Sequence, residues 1–271
     1  MPELPEVETT RSGIATHVTS HPIKNVVVRQ RQLRWPIPAN LNKKLQGQII
    51  HSVTRRGKYL LLSTQPGTLI IHLGMSGSLR IASTTTPPQK HDHVDIIFDN
   101  DTLLRLRDPR RFGAVLWTSR DVLQHKLLKD LGVEPLTREL SCDYLYRASR
   151  HRKVAIKQFI MDSHIIVGIG NIYANEALYI AGIRPTIAAK SISKIRMEKL
   201  VVAIKQVLKK AIKSGGTTLR DFSQGDGQPG YFKQKLNVYG RADEPCPTCN
   251  TPIKLIRQGQ RASFYCPHCQ R

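Results

Sequence analysis

Acidic and aromatic residues are both scarce in this sequence of 271 residues. Asp and Glu number 20 against 42 Lys and Arg, which gives a formal net charge of +22. Such an excess favours a polyanionic partner: nucleic acid is the first expectation, and an anionic membrane surface or a solvated basic face are the alternatives. Aromatic residues make up 6% of the chain and hydrophobic residues 40%, so aliphatic side chains must fill the cores.

Long hydrophobic runs are also missing from the sequence. No apolar stretch approaches the roughly 20 residues that a helix needs to cross a bilayer. The first residues lack the positive and apolar regions of a secretory signal. These two absences predict a protein without a membrane anchor that acts in the cytoplasm. At this length, two compact domains and a small module are expected.

Cysteine is limited to five residues, and its spacing indicates a metal site rather than disulfides. Two Cys-x2-Cys pairs with sixteen residues between them provide the thiolates of Cys246, Cys249, Cys266 and Cys269. Two such pairs on one hairpin form the tetrahedral four-sulfur cage that a structural Zn²⁺ prefers, which leaves no position for His268. The sequence therefore predicts one closed structural zinc site, and Cys142 is assigned no role.

Hydrophobic periodicity changes along the chain. A helix is predicted at the start, with Val7, Ile14 and Val18 on one face. Seven short β-like runs separated by turn signals follow it, a pattern typical of a β-sandwich or barrel rather than of βαβ units. Helical periodicity replaces this pattern at residues 152–162 and 192–216, on either side of a tight loop that leads into a further helix at VGIGNIYANEAL.

These patterns predict an α+β multidomain protein with three parts. The expected boundaries are 1–132 for an N-terminal β domain with a leading helix, 133–236 for a helical domain, and 237–271 for a zinc-finger β-hairpin. A hairpin turn is expected at Gln258-Gly259, with Arg261 just past the tip. This arginine could be an ordinary surface residue or a phosphate-binding finger that the zinc holds rigid.

The opening heptapeptide MPELPEV places a potential nucleophile beside two carboxylates. Removal of Met1, which is usual before a small residue, would leave Pro2 with a free secondary amine close to Glu3 and Glu6. An α-amino group with a pKa of about 7.7–8 keeps a usable free-base fraction at neutral pH, whereas a lysine with a pKa of about 10.4 does not. Acidic residues in a first helical turn also complement the helix dipole, so catalysis and helix stabilisation both remain open for the two glutamates.

Eight sequence motifs follow one another along the chain. They are PELPEVET, RRGKYLL, HLGMSGSLR, DPRRFG, VGIGNIYANEAL, GGTTLRDF, VYGR and the four-cysteine finger. In this order they resemble the bacterial formamidopyrimidine-DNA glycosylases over essentially the whole chain. The resemblance implies that the N-terminal domain is a β-sandwich with a leading helix and that the helical domain has a helix–two-turn–helix arrangement. It also implies a bifunctional DNA glycosylase and AP lyase of base excision repair, which removes oxidised purines such as 8-oxoguanine and formamidopyrimidines from duplex DNA.

The resemblance further implies a catalytic group of four residues: Pro2, Glu3, Glu6 and Lys58. Pro2 would attack C1′ of the damaged nucleotide and form a Schiff base, after which β- and δ-elimination would leave a one-nucleotide gap. Glu3 would act as the general acid and base, and Glu6 would orient the amine and relay protons. Lys58 would grip the pinched phosphate backbone at the lesion.

A larger set of residues is implied to contact DNA: His72, Met75, His91, Arg110, Phe112, Arg152, Lys157, Asn171, Tyr239 and Arg261. Met75, Arg110 and Phe112 would fill the hole that an extruded nucleotide leaves. Asn171 would offer a phosphate the free amides of a helix start. Residues 217–231 would form the loop that closes over the everted base. Without the flanking motifs, Met75 and Phe112 would be assigned to a core.

Three alternatives accompany these expectations. An enzyme of the endonuclease VIII type would prefer oxidised pyrimidines, but that class commonly has Gly where Leu4 follows Glu3 here. A zinc-finger protein without activity would use the positive charge for affinity alone. His91, His93 and Asp95 alternate in KHDHVD and could indicate a metal, although a hydrogen-bonded structural cluster is the more common outcome.

The expected partner is damaged double-stranded DNA, bound by a monomer. The expected cofactor is one structural Zn²⁺ ion, and no membrane partner is expected. A bacterial enzyme of this kind would work in the cytoplasm, in association with the nucleoid.

Overall fold

The computed structural model describes residues 2–215 and 236–271, which belong to two compact units. The first unit runs from the start of the chain to Lys129 and takes in the end of the last helix from Ile212. The second unit comprises Asp130–Ala211 and the described residues from 236 onwards. Within the described ranges, no helix has both the length and the hydrophobicity that a membrane span requires.

Helix α1, Leu4–Val18, opens the first unit where the sequence predicts a helix. Pro5 lies in the first turn, where its missing N–H leaves no intrahelical hydrogen bond unmade. Val7, Ile14 and Val18 are at most 1% exposed, so the predicted apolar face packs into the sandwich core. The helix thereby anchors the opening residues of the chain to the sandwich.

The described part of the first unit contains eight strands: β1 (Ile23–Val28), β2 (Ser52–Arg56), β3 (Tyr59–Thr64), β4 (Gly67–His72), β5 (Ser78–Ser83), β6 (Asp92–Phe98), β7 (Thr102–Arg107) and β8 (Ala114–Thr118). They form two antiparallel four-stranded sheets with the orders β1-β6-β7-β5 and β2-β3-β4-β8. A short helix α2, Leu41–Leu45, connects β1 to β2. The predicted β-sandwich is confirmed, but β5 escaped prediction because Leu79 is its one fully buried side chain.

Aliphatic side chains fill the space between the sheets, as the composition predicts. Leu60 and Leu62 of β3, and Ile96 and Leu104 of the other sheet, are at most 2% exposed. Burying a side chain of this size contributes about 1.5–3 kcal/mol. This core therefore supplies the main stabilisation of a unit whose surface charges are predominantly of one sign.

A network of buried charges crosses the first sheet. Arg105 is 1% exposed and donates two hydrogen bonds of 2.7 Å to the carboxylate of Asp95, and Arg29 adds a third at 2.6 Å. Burial alone would raise the pKa of Asp95, but these hydrogen bonds hold it below its ordinary value. Arg80 and Asp92 form a second pair at 2.9 Å. The acidic residues of this sheet are therefore structural.

The second unit combines helices with one hairpin: α3 (Cys142–Ser149), α4 (Ile156–Ile160), α5 (Asn171–Ile180), α6 (Lys194–Gly215), β9 (Lys254–Gln258) and β10 (Arg261–Tyr265). The last turn of α6 belongs to the first unit. Leu200, Ile204, Leu208 and Ala211 form an apolar stripe on the buried face of α6, which confirms the helical periodicity predicted over residues 192–216.

Helix α4 is shorter than the helix predicted over residues 152–162. Ala155 forms an antiparallel bridge with Ala188, which keeps the preceding residues extended. At the other end, the side chain of Asp162 accepts a hydrogen bond from the N–H of His164 at 2.9 Å. Such a local turn competes with helix continuation, so tertiary and local hydrogen bonds override the helical period.

Candidate functional site

The start of α1 is fixed by two glutamates that hydrogen-bond to each other's backbone. The carboxylate of Glu3 accepts from the N–H of Glu6, and Glu6 Oε2 accepts from the N–H of Glu3 at 2.8 Å. This capping box holds the peptide unit that joins Pro2 to Glu3. Glu3 is 2% exposed, whereas Pro2 is partly exposed. Glu6 therefore stabilises the start of the helix, and the same hydrogen bond restrains the peptide unit next to Pro2.

Cationic and aromatic side chains surround His72 at the end of β4. Tyr59 faces it across the strand pair, with ring centroids 4.7 Å apart, and Lys58 lies in the turn just before Tyr59. His72 Nδ1 accepts from the N–H of Gly74 at 3.0 Å, so a neutral ring carries its proton on Nε2. Burial, together with the charges of Lys58 and Arg34, lowers the pKa of His72 to about 4. At neutral pH, His72 is an uncharged hydrogen-bond donor.

Arg34 is a residue of this cluster that none of the motifs contains. Its guanidinium lies 4.7 Å from the centre of the Trp35 ring, and its backbone N–H donates to the carbonyl of Gly113 at 3.1 Å. The side chain is exposed. In the sequence, Arg34 next to Trp35 was the one signal that could have marked this residue. A single pair of a basic and an aromatic residue is too common to predict a functional role.

Two loops in contact carry the three residues expected to fill the hole in the DNA. Met75 is 38% exposed and Phe112 is 45% exposed, so neither belongs to the core. The guanidinium of Arg110 lies 4.7 Å from the centre of the Phe112 ring. Gly74 has φ +63°, and a Cβ added there would meet the carbonyl carbon of Phe112 at 2.4 Å. The two loops are thus in close backbone contact, and each of them exposes an apolar side chain.

The KHDHVD segment forms a structural cluster. His93 Nε2 donates to the carbonyl of Asp108 at 2.9 Å, and Asp95 is held by the arginines of the sheet. His91 precedes β6 with φ +76°, and its carbonyl accepts from the N–H of Asp108 at 3.1 Å. Of the described residues, only the cysteine quartet could hold a metal ion. His91 therefore borders the loop of Arg110 and Phe112 without belonging to a metal site.

Lys157 is buried behind the zinc hairpin. It is 1% exposed, and its Nζ donates to the carbonyl of Ala262 at 2.7 Å and to Ser263 Oγ at 2.6 Å. This placement corrects the expectation of a direct phosphate contact, because the ammonium group is removed from the surface. Lys157 instead supports strand β10 next to Arg261, which is exposed at the start of that strand.

Helix α5 holds the same strand through two asparagines. The helix begins at Asn171 directly after Gly170, as predicted. Asn171 Nδ2 donates to the carbonyl of Ala262 at 3.1 Å, and Asn175 Oδ1 accepts from the N–H of Phe264 at 2.8 Å. The hairpin and the start of α5 are therefore fixed to each other.

Glu176 is a buried carboxylate for which no role was expected. It is 3% exposed and accepts from the backbone N–H groups of Asn237, Val238 and Tyr239 at 2.9–3.0 Å. These bonds fix the VYGR motif and place the Tyr239 ring edge-on against Phe264, with centroids 5.2 Å apart. A charged residue inside the apolar helix NIYANEAL was the signal that could have identified it.

Three further expectations concern loops. Arg152 is exposed in the segment after α3. The hairpin turn lies at residues 259–260, one residue later than expected, because Gly259 supplies the left-handed conformation with φ +59°. The predicted closing loop at 217–231 lies outside the described residues.

Four sulfur atoms converge on the hairpin side of the second unit. Their Sγ atoms all lie within 4.8 Å of one another, and three of the distances are 3.4, 3.4 and 3.9 Å. Thiolates bound to one Zn²⁺ at about 2.3 Å lie about 3.8 Å apart at the corners of a tetrahedron. The Thr251 hydroxyl lies 3.3 Å from Cys249 Sγ, and the Tyr179 hydroxyl lies 3.3 Å from Cys246 Sγ. The four cysteines therefore fit one structural zinc ion.

Three family models match the chain in sequence order. The N-terminal domain of formamidopyrimidine-DNA glycosylase matches residues 1–115, and its H2TH domain matches residues 131–223. The zinc finger found in FPG and IleRS matches residues 243–271. The chain belongs to the formamidopyrimidine-DNA glycosylase family. The family predicted from the eight motifs is thereby confirmed, as is the four-cysteine finger.

Relatives in this family span the whole chain. The formamidopyrimidine-DNA glycosylase of Thioalkalivibrio sulfidiphilus is 54% identical over 271 residues, and that of Pseudomonas putida is 57% identical over 271 residues. Each comparison covers 100% of both proteins. The resemblance therefore includes both the sandwich and the zinc finger.

Solved structures of the family from Lactococcus lactis confirm the predicted fold class. The complex of that Fpg with Fapy-dG-containing DNA has a TM-score of 0.88 at 32% identity, over 99% of this chain and 100% of the other. A complex with DNA that contains an oxidised pyrimidine has a TM-score of 0.90 at 32% identity, over 100% of both chains. A complex with abasic-site DNA has a TM-score of 0.88 at 30% identity, over 99% of both.

The depressed pKa of His72 predicts a defined pH dependence. Because the folded-state pKa lies below the ordinary value of 6.5, the neutral ring contributes stability that is fully present above pH 6.5. This contribution is lost as the pH falls through about 4. His72→Gln keeps an acceptor for Gly74 and removes the titration. When the pH is lowered from 7 to 4.5, the free energy of unfolding measured in urea should fall further for the wild type than for the variant. The difference should be on the order of 2 kcal/mol.

A titration of His72 by NMR tests the same prediction directly. In NMR spectra, the imidazole signal that disappears in His72→Gln should titrate with a midpoint near 4. A midpoint above 6 for this signal would contradict the buried neutral ring.

The sulfur geometry predicts one zinc ion per chain and a hairpin that depends on it. Cys249→Ser should lower the zinc content measured by mass spectrometry. It should also weaken binding to a lesion-containing duplex by about tenfold or more, because a hairpin without metal loses its fold. Cys142→Ser is the matched control, since this thiol lies outside the quartet. Unchanged zinc content in Cys249→Ser would contradict the four-sulfur site.

Proposed function

We propose that the chain is a bifunctional DNA glycosylase and AP lyase of base excision repair that removes oxidised purines from duplex DNA. The observation that carries the proposal is the identity of 54% and 57% with named formamidopyrimidine-DNA glycosylases over the full chain. Lactococcus lactis Fpg has been crystallised with Fapy-dG and with abasic-site DNA, which supports the same substrate class. The net charge of +22 suits a phosphate backbone.

Pro2 is the proposed nucleophile once Met1 has been removed. Its secondary amine attacks C1′ of the damaged nucleotide and the base departs. The C1′–O4′ bond of the sugar ring then opens, which turns the amine into a cationic iminium. This cation acidifies the C2′ proton, and loss of that proton eliminates the 3′ phosphate. A second elimination then releases the 5′ phosphate. The product is a one-nucleotide gap with a phosphate at each end.

The two glutamates divide the proton chemistry and the positioning of the amine. Glu3 is proposed as the general acid that protonates the sugar ring oxygen and as the base that removes protons later. Glu6 holds the N–H of Glu3 at 2.8 Å, so it orients the peptide unit that carries Pro2. Lys58 is proposed to neutralise the phosphate that lies next to the reacting sugar.

The exposed loops of the first unit are proposed to open the duplex. A lesion inside the stack is inaccessible, so the nucleotide must be extruded and the hole must be filled. Met75 and Phe112 are suitable apolar plugs, and Arg110 offers donors to the unpaired base. The Nε2–H of neutral His72 is proposed to donate to a phosphate, and His91 to contact the backbone beside this surface.

The second unit is proposed to bind the backbone of the damaged strand. Arg261 and Arg152 are exposed cations, and Asn171 lies at a helix start whose amides favour an anion. Tyr239 is proposed as a further contact because Glu176 holds its backbone. Lys157 is not included among these contacts.

A three-part organisation accompanies this function. We assign base opening and chemistry to residues 1–132, backbone binding to residues 133–236, and a rigid finger to residues 237–271. Each activity needs one copy of these residues, so the active form is proposed to be a monomer. Because the proposed substrate is DNA, we propose that the protein acts in the cytoplasm in association with the nucleoid.

One observation favours a second substrate class. Lactococcus lactis Fpg has been crystallised with DNA that contains an oxidised pyrimidine. Excision of oxidised pyrimidines is therefore retained as a candidate minor activity. Leu4, where the endonuclease VIII class commonly has Gly, keeps oxidised purines as the main proposal.

A covalent adduct is the signature of the proposed chemistry. With a duplex that contains 8-oxoguanine, borohydride should trap the wild-type protein on DNA. Pro2→Gly should reduce trapping and strand cleavage by about 100-fold or more, because the secondary amine is lost. Mass spectrometry of the active protein should find the chain without Met1. Retention of Met1 in active protein would remove Pro2 from the mechanism.

A pair of glutamate variants separates catalysis from helix stability. Glu3→Gln should slow excision by about 10²–10⁴-fold, the usual contribution of a general acid. Glu8→Gln is the matched control, because Glu8 lies in the same helix but pairs with Arg11 and Arg55. Equal losses in the two variants would argue against a catalytic Glu3.

The choice between substrate classes predicts an order of rates. Under single-turnover conditions, excision of 8-oxoguanine opposite cytosine should be faster than excision of an oxidised pyrimidine from a duplex of the same sequence. The reverse order would support the endonuclease VIII alternative. Normal duplex binding without either cleavage would support a binding protein.

A further inference from the structure

The carboxylate of Asp108 joins the two loops that carry Met75, Arg110 and Phe112. Asp108 follows β7 directly and is 0% exposed. Its Oδ1 accepts from Ser76 Oγ at 2.9 Å, next to Met75. Its Oδ2 accepts from the N–H of Gly113 at 2.7 Å, next to Phe112. One buried group thus bonds to the neighbour of a plug residue in each loop.

The hydroxyl of Ser76 extends this connection to Arg110. Asp108 can only accept when ionised, so the Ser76 hydroxyl donates to it. The Ser76 oxygen is then oriented to accept from the N–H of Arg110 at 3.2 Å. The hydrogen bonds therefore run in one direction, from Arg110 through Ser76 to Asp108. The backbone of Arg110 is fixed by the same carboxylate as that of Gly113.

The backbone of Asp108 is itself fixed on three sides. Its N–H donates to the backbone carbonyl of His91 at 3.1 Å. Its carbonyl accepts from His93 Nε2 at 2.9 Å and from the N–H of Arg111 at 3.1 Å. Strand β6 and the residue before it thus fix the backbone of Asp108, and the side chain of Asp108 in turn fixes the two loops. A carboxylate that is anchored and shielded from water binds its donors more strongly than an exposed one would.

We propose that Asp108 is a positioning residue that holds Met75, Arg110 and Phe112 as one preformed wedge. The inference rests on the proposed function, in which these three side chains fill the hole left by the extruded nucleotide. A loop that is ordered before it meets DNA loses less entropy on insertion. Asp108 therefore acts on the opening of the base pair and not on the bonds that Pro2 makes and breaks.

Asp108→Asn keeps the shape of the side chain and reverses one of its bonds. When the amide oxygen accepts from the N–H of Gly113, the NH₂ group donates to the Ser76 oxygen, and the hydroxyl hydrogen of Ser76 loses its acceptor. Excision of 8-oxoguanine paired with cytosine should slow by about tenfold or more in single turnovers. Cleavage of a duplex with a preformed abasic site has no base to extrude, so it should change by less than about threefold.

A fluorescence signal tests the wedge independently of chemistry. A 2-aminopurine placed beside the lesion brightens when the stack opens, and stopped-flow mixing follows this step. The wild-type protein should show a rapid rise, and Asp108→Asn should show a rise slowed by about the same factor as excision. A mere loss of folded protein would lower the amplitude and leave the rate unchanged.

Two further variants keep the inference testable if Asp108→Asn folds poorly. Ser76→Ala removes one of the two loop bonds and should give a smaller change in the same direction. Asp92→Asn is the matched control, because Asp92 is a buried carboxylate of the same sheet that bonds to Arg80 and Gln89 and not to the wedge loops. It should leave the ratio of excision to abasic-site cleavage at the wild-type value.

The outcomes separate this inference from the function beneath it. Absence of the fluorescence rise and of excision in the wild-type protein would overturn the proposed function. A normal wild-type rise, with Asp108→Asn and Ser76→Ala both keeping the wild-type ratio, would overturn the positioning role alone. A lower ratio in both variants but not in Asp92→Asn would establish it.

Discussion

Burying a carboxylate is costly unless hydrogen-bond donors surround it, and three buried glutamate or aspartate side chains meet this constraint at segments to which we assign functions. Glu3, Asp108 and Glu176 are each at most 3% exposed and accept from backbone N–H groups. Removal of a donor would leave a charge without a partner in a medium that solvates it poorly. The start of α1, the loop of Phe112 and the VYGR motif are therefore restrained by electrostatics as well as by packing.

This use of acidic residues explains how a basic chain can fold without weakening its DNA surface. Only 20 acidic residues face 42 basic ones, and the buried carboxylates at the functional segments bond mainly to backbone N–H groups. Exposed cations such as Arg34 and Arg261 are not neutralised by them. His72 stays neutral for a related reason, because a positively charged ring beside Lys58 and Arg34 would be repelled by their charges. Its neutral form supplies a donor without further charge.

Patterns within one element could be predicted from the sequence, and contacts between distant elements could not. The face of α1, the sandwich, the α6 stripe and the four-cysteine quartet follow from local periodicity or spacing. Strand β5 was missed because its pattern contains a single buried residue, and α4 was overextended because the bridge between Ala155 and Ala188 delays the start of the helix. The burial of Lys157 depends on Ala262, which is 105 residues away in sequence. The bond between Ser76 and Asp108 likewise depends on sheet register.

The zinc ion and the helical side chains act on the same short strand from its two ends. Beyond the C-terminal end of β10, Cys266 and Cys269 belong to the metal site. Near the N-terminal end, Lys157 and Asn171 both bond to the carbonyl of Ala262, directly after Arg261. A hairpin of two five-residue strands is marginal by itself. Because both ends of the strand are held, the exposed Arg261 projects from a rigid backbone. The conformational entropy of this backbone is therefore lost during folding rather than during DNA binding.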